Sequence, residues 1–143
     1  LNVYKYRYGG IAALETLDKN EVGIFKTTLL RIPEGVKMLV LNYNSSFGYI
    51  KVSIVIEFAS NEIILRESEK LTSTSALAQK VVWKDDDKSE GGALDISNYA
   101  THFVKLKFEV YKSKLFGFMF VDDEASYVKN IKKRGAFCTH KFT

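Results

Sequence analysis

The segment Tyr49–Phe58 alternates its side chains between two faces along its whole length. One face carries Ile50, Val52, Ile54, Ile56 and Phe58, and the other carries Tyr49, Lys51, Ser53, Val55 and Glu57. Successive side chains leave opposite faces of a pleated strand, so this period of two predicts a β-strand with one buried face. The residues Asn44, Ser45, Ser46 and Gly48 just before it are turn formers. The sequence around them is therefore predicted to be two strands joined by a turn.

Further strands are predicted along the chain, each bounded by polar or glycine-containing turns. They are Gly23–Ile32, Lys37–Leu41, Asn61–Leu65, Ala78–Lys84, His102–Tyr111 and Lys114–Val121. Leu94–Tyr99 is typical of a short turn or a single helical turn. The last two strands are joined tightly by Lys112-Ser113, which predicts a hairpin. Lys114–Val121 is apolar on both faces, as expected of a covered strand or an interface strand. Short strands without a long amphipathic helix predict an all-β fold, an antiparallel β-sandwich of jelly-roll type.

The length of 143 residues fits one domain with a full core. We expect the sandwich in residues 1–121 and a basic C-terminal extension in residues 122–143, which either adds a strand at Ala136–Phe142 or remains partly mobile. Cys138 is the single cysteine, so no intrachain disulfide can form. No stretch of sequence is long and apolar enough to predict a membrane span.

Charge does not identify a partner. The net charge of +4 permits loose attraction to polyanions, but a charged, solvated surface is the more common origin of such a charge. The cluster Lys129–Arg134 is the most basic part of the chain, yet the acidic Asp122–Glu124 precedes it and no RNA-binding motif is present. Nucleic acid is therefore a disfavoured partner.

Four segments carry a family resemblance: LNYNSSFGYIKVSI (41–54), VVWKD (81–85), LDISNYA (94–100) and VKLKFEVYKSKLFGFMF (104–120). Their order and spacing resemble the C-terminal β-sandwich module of glycosidase-like proteins, found beside a five-bladed propeller of the sialidase, fructosidase or arabinanase type. The motif residues include Asn42, Gly48 and Trp83. The chain departs from the module in its long acidic loop after Trp83 and in its residues beyond Val121.

The resemblance implies a non-catalytic accessory module that is carbohydrate-binding-like and extracellular or in the secretory pathway. It also implies that this chain is part of a longer protein, with a glycan or an adjacent catalytic or propeller domain as its partner. The alternative hypothesis is a module for protein–protein interaction or self-assembly without sugar binding, since exposed apolar surface commonly marks an interface.

Aromatic side chains are the candidate ligand-binding residues, because a flat ring can stack on the C–H face of a sugar. The candidates are a row formed by Tyr4, Tyr6 and Tyr8, a group around the central turn formed by Tyr43, Phe47 and Tyr49, and the single tryptophan Trp83. Tyrosines suit half-buried strand faces equally well, and a tryptophan between apolar neighbours suits a core. Both interpretations stay open from the sequence.

A calcium site is a further hypothesis, because Asp85 and Asp87 match the first half of a calcium-binding loop. The second half fails, with Glu90 where glycine should turn the chain and Ile96 where the closing glutamate should stand. A solvated acidic turn is the alternative. No pattern pairs two carboxylates as glycoside hydrolysis requires, so we expect no enzymatic activity.

Overall fold

The computed structural model describes residues 14–16, 18, 20–72, 76–84 and 94–122, which contain eight β-strands and one short 3-10 helix at Ser97–Tyr99. The strands are β1 (Gly23–Lys26), β2 (Leu30–Arg31), β3 (Met38–Asn44), β4 (Tyr49–Phe58), β5 (Asn61–Glu67), β6 (Ala76–Lys80), β7 (Phe103–Tyr111) and β8 (Lys114–Val121). Of the predicted C-terminal extension, the residues after Asp122 lie outside the described ranges. No helix in these ranges has the length and apolar character needed to cross a membrane.

The strands form two antiparallel sheets. The first has the order β1-β7-β4-β5, with β2 also paired to β7, and the second has the order β6-β3-β8. Leu14 continues the second sheet through a bridge to Leu115 of β8. After β2, every described connection passes from one sheet to the other except that between β4 and β5. This alternation is typical of a jelly roll, and the predicted all-β sandwich fold is confirmed.

The predicted hairpin between the last two strands is wrong. β7 pairs with β1, β2 and β4, whereas β8 pairs with β3 in the other sheet. Lys112 turns the chain between the sheets with a left-handed φ of 46°. Across the core, Phe118 of β8 faces Phe108 of β7, with ring centroids 5.8 Å apart. The short connection therefore brings two apolar strands face to face instead of side by side.

The hairpin that does form joins β4 to β5. Ala59 and Ser60 both have positive φ, 50° and 69°, as in the type I′ turns that match strand twist. Phe58 and Asn61 close the turn as directly opposed residues. Phe58 was expected on the core face but is 73% exposed, as the last residue of β4 next to the turn.

The predicted strand Gly23–Ile32 is divided in two at Thr27. The backbone N–H of Leu106 donates to the Thr27 hydroxyl at 3.0 Å, in place of a backbone carbonyl. The Thr27 N–H still donates to the Leu106 carbonyl at 2.9 Å. The Thr27 hydroxyl thus replaces one backbone acceptor in the hydrogen bonding between the two strands, which explains the break between β1 and β2.

The core lies between the sheets, and the alternation read from β4 and β7 is confirmed on their inner faces. The fully buried residues of these two strands' inner faces are Ile50, Val52, Ile54, Val104, Leu106, Phe108 and Val110. The second sheet also buries residues on its outer side, where Val40 and Val121 are 0% and 2% exposed and Met38 and Met119 are partly buried. Of the two interpretations of Lys114–Val121, the structure thus favours a covered strand.

Candidate ligand-binding site

A pocket of about 520 Å³ opens at the end of the sandwich where the β3–β4 turn meets the β7–β8 connection. We call it the loop-end pocket. Its described lining residues come from three segments and are Glu15, Thr16, Asn20, Asn44, Ser46, Phe47, Lys112, Ser113 and Lys114. Phe47 is the aromatic member, and the other side chains are polar. The pocket therefore combines one flat apolar ring with many hydrogen-bonding groups.

The β3–β4 turn holds Phe47 out into solvent. The Asn44 carboxamide oxygen accepts hydrogen bonds from the Ser46 N–H at 3.2 Å and the Ser46 hydroxyl at 2.7 Å. This is an Asx-type turn, in which the side chain replaces a backbone acceptor. At the tip of the turn, Phe47 is 86% exposed. An aromatic side chain this exposed is available to a ligand.

Gly48 lets the same turn lie against the end of β7. A Cβ at this position would overlap the carbonyl oxygen of Tyr111 and lie 2.9 Å from the Cβ of Lys112. Glycine is required here for close backbone approach, and its φ is not in the left-handed region. The two loops that form the pocket are thus in direct contact.

Glu15 places a carboxylate in the wall of the loop-end pocket. It is 8% exposed, and its position follows from the two backbone hydrogen bonds, 2.8 and 3.0 Å long, that join Leu14 to Leu115. Lys114 is its cationic neighbour, with its Nζ 3.8 Å from the Glu15 carboxylate. A buried carboxylate of this kind can accept hydrogen bonds from ligand hydroxyls.

Two tyrosines whose rings contact at a tilt of 38° lie beside the pocket on the outer face of the first sheet. The rings of Tyr49 and Tyr111 have centroids 5.6 Å apart, and the Tyr49 hydroxyl donates to the Glu109 carboxylate at 2.9 Å. Burial, together with the neighbouring Glu109, raises the pKa of Tyr49 above its ordinary value. Lys70 Nζ lies 4.5 Å from the Tyr49 ring centroid, and Lys112 Nζ lies 5.3 Å from that of Tyr111. Because Lys112 also lines the pocket, the two features form one continuous surface.

The rest of this outer face carries a set of ion pairs that we call the ion-pair lattice. It is formed by Lys26, Lys51, Lys84, Lys105, Lys107, Glu57, Glu62 and Glu67. Hydrogen bonds from lysines lower the pKa of each of the three glutamates, with Lys105, Lys107 and Lys51 as the largest causes in turn. Beneath this layer Val55 is fully buried although it points away from the core. Lys105 stands directly opposite Val55 in the register. Because the described lysines and glutamates of the lattice are paired with one another, this face is not assigned as a ligand site.

The structure separates the aromatic candidates that the sequence grouped together. Phe47 and Tyr49 lie at the surface of the loop end. Tyr43 is a residue of β3 and not of the turn, and at 1% exposure its ring belongs to the core. Trp83 is also 1% exposed, and Arg66 lies 5.8 Å from its ring centroid. Neither Tyr43 nor Trp83 presents a face to a ligand in this structure, because each fills space between the sheets.

The remaining candidates lie outside the described residues, namely Tyr4, Tyr6 and Tyr8, the pair Asp85 and Asp87, and the basic cluster Lys129–Arg134. Within the described ranges, no group of three or more histidine, cysteine or acidic side chains is arranged to hold a metal ion. The calcium site at Asp85 and Asp87 stays a prediction.

Sequence reasoning missed most of the pocket wall. Glu15 lies within Ile11–Leu17, a segment that fits a strand or one helical turn, so nothing in the sequence placed it beside Lys114. Lys112 and Ser113 were predicted only as the connection of a hairpin. The turn formers Asn44 and Ser46 were recognised, but their meeting with the β7–β8 connection depends on the pairing of distant strands.

Comparisons with protein-family models, with curated proteins and with solved structures found no match to this chain. The resemblance to the glycosidase-associated module therefore stays a prediction.

Proposed function

We propose that this chain is a non-catalytic β-sandwich that binds carbohydrate at the loop-end pocket, as an accessory module of a larger extracellular glycosidase-like protein. The observation that carries the proposal is Phe47, which stands 86% exposed at a pocket whose other described lining residues are polar. A sugar ring has apolar C–H faces and a rim of hydroxyls. It needs one flat apolar surface with hydrogen-bonding groups around it, which is the composition of this pocket.

The energetics fit a weak, specific site. An aromatic ring on a turn loses little entropy when it stacks on a ligand, because it has few rotatable bonds. The wall supplies the carboxylate of Glu15, the amide of Asn20 and the ammonium of Lys112 as partners for hydroxyl groups. One ring and a few hydrogen bonds correspond to dissociation constants of about a millimolar to a micromolar.

The same wall supports a binding role without catalysis. Retaining and inverting glycosidases place two carboxylates about 5–9.5 Å apart across the scissile bond. Among the described lining residues, Glu15 is the one carboxylate. A single carboxylate can accept a hydrogen bond from a ligand hydroxyl, but glycoside hydrolysis uses two carboxyl groups in separate catalytic roles.

A glycan array followed by NMR titration of the hits tests the proposal. Phe47→Ala should weaken binding of a hit by about tenfold or more, a loss of about 1.4 kcal/mol or more. Phe103→Ala is the matched control, because Phe103 is 61% exposed and lies at the start of β7, at the opposite end of the sandwich. Loss of binding in both variants, or in neither, would contradict a site at the loop end, and an array without hits would contradict carbohydrate binding.

A second candidate, a protein-interaction module, is favoured by one observation at the opposite end. Leu29, Phe58 and Phe103 are 62%, 73% and 61% exposed there. The antiparallel register of β4 and β7 puts Phe58 at the same end as Phe103. Sedimentation analysis separates the candidates: self-association that Phe103→Ala weakens and Phe47→Ala does not would support the interaction module.

A further inference from the structure

The lysines of the first sheet's outer face fall into two groups. Those of the ion-pair lattice each have a glutamate partner, such as Lys107 with Glu62 at 2.7 Å and Lys51 with Glu67 at 2.6 Å. Lys70 and Lys112 differ, because within the described part of the chain each contacts a tyrosine ring and neither has a carboxylate partner.

Two described carboxylates beside the pocket and the tyrosine pair are already engaged. Glu109 accepts the hydrogen bond of Tyr49, and Glu15 lies 3.8 Å from Lys114. Lys112 is therefore the cation of the loop-end pocket that no described carboxylate neutralises. Beside it, Lys70 extends the positive surface across the tyrosine pair.

An ammonium group against an aromatic ring has lost part of its hydration and is attracted by the ring's negative face. The ring face accepts at most one of the three N–H donors of an ammonium group, so the other donors remain available to a ligand. An anion that approaches such a group gains charge-assisted hydrogen bonds, and it has no competing protein carboxylate to displace.

We propose that the saccharide bound at the loop end carries an anionic group, a carboxylate or a sulfate ester, and that Lys112 and Lys70 bind that group. The inference rests on the proposed function, since it assumes that Phe47 stacks on a sugar ring. Lys112 is the link between the two, because it lines the pocket with Phe47 and also lies over Tyr111.

The test compares three oligosaccharides of equal length by calorimetry with the full chain: a polyuronate, a sulfated one and a neutral one. The acidic ligand should bind about tenfold or more tightly than the neutral one, and the preference should weaken as salt rises. K70Q/K112Q should lose that preference, and K70R/K112R should keep most of it. Arg31→Gln with Lys37→Gln is the matched control, because it removes the same charge at the far end of β2 and β3.

The outcomes distinguish the two proposals. If neutral and acidic saccharides bind with equal affinity, and Phe47→Ala still weakens that affinity, the anionic preference is overturned. Carbohydrate binding at the loop end then stands. No binding of any saccharide would overturn both. Duplex DNA that binds as tightly as the acidic saccharides would overturn the preference for a saccharide anion. The more tightly bound of the two acidic ligands, the polyuronate or the sulfated oligosaccharide, identifies the anionic group. The unfolding midpoints of the variants show that each remains folded.

Discussion

Replacing Phe108 by alanine should remove about 3–5 kcal/mol from the free energy of unfolding. Phe108 is 0% exposed in the middle of β7, directly opposite Phe25 on one side and Val52 on the other. Its ring also meets Phe118 across the core. The substitution removes the buried ring and leaves a cavity that three neighbouring strands hold open. The total free energy of unfolding of a domain this size is about 5–15 kcal/mol, so this loss would be a large part of its stability.

Urea unfolding followed by the fluorescence of Trp83 measures this loss, because Trp83 is the chain's single tryptophan and is buried. With a slope of about 2 kcal/mol/M, a loss of about 4 kcal/mol lowers the midpoint by about 2 M. Lys107→Ala is the matched control on the neighbouring residue. It removes an ion pair with Glu62 on the outer face and should cost under about 1 kcal/mol. Similar losses at both positions would refute the assignment of the two faces of β7.

Two further predictions concern acid stability and catalysis. The glutamates of the ion-pair lattice have pKa values below their ordinary 4.5 in the folded chain, so the stabilisation they give is present above that pH and is lost as the pH falls through their lowered values. Melting temperatures between about pH 7 and about pH 3 measure it, and an unchanged melting temperature in acid would contradict the role of the lattice. The chain alone should not hydrolyse aryl glycosides, and turnover that disappears in Asp85→Asn or Asp122→Asn would show that a catalytic carboxylate had been overlooked.

The alternating strands could be predicted from the sequence because one physical rule decides them. Successive side chains of a strand point to opposite faces, so Ile54 and Leu106 share the core-facing side with the other apolar residues of their strands. The rule weakens at strand ends, and this is why Phe58 is exposed. It also fails to distinguish the sheets, because a two-residue connection brings two strands close without deciding whether they pair or cross.

The candidate site could be predicted only where neighbouring residues in the sequence decide the local backbone structure. Asn44 and Gly48 identify a turn from their own chemistry, so an exposed Phe47 at its tip follows from neighbouring residues. Tyr43 and Trp83 could not be assigned, since an aromatic ring suits a core and a binding surface equally. The place of Glu15 depends on its neighbour's pairing with β8, a contact between residues distant in sequence that no local pattern encodes.

The close contact at Gly48 has a consequence for how a ligand would be received. Since the β3–β4 turn lies against the backbone at the end of β7, Phe47 and Lys112 stand on two loops that are in direct contact. A ligand that touches both residues does not have to bring the two loops together, so the backbone entropy of placing one loop against the other is already lost when the chain folds. The site is preorganised by folding, and a side chain at position 48 would separate recognition of the sugar ring from recognition of its charge.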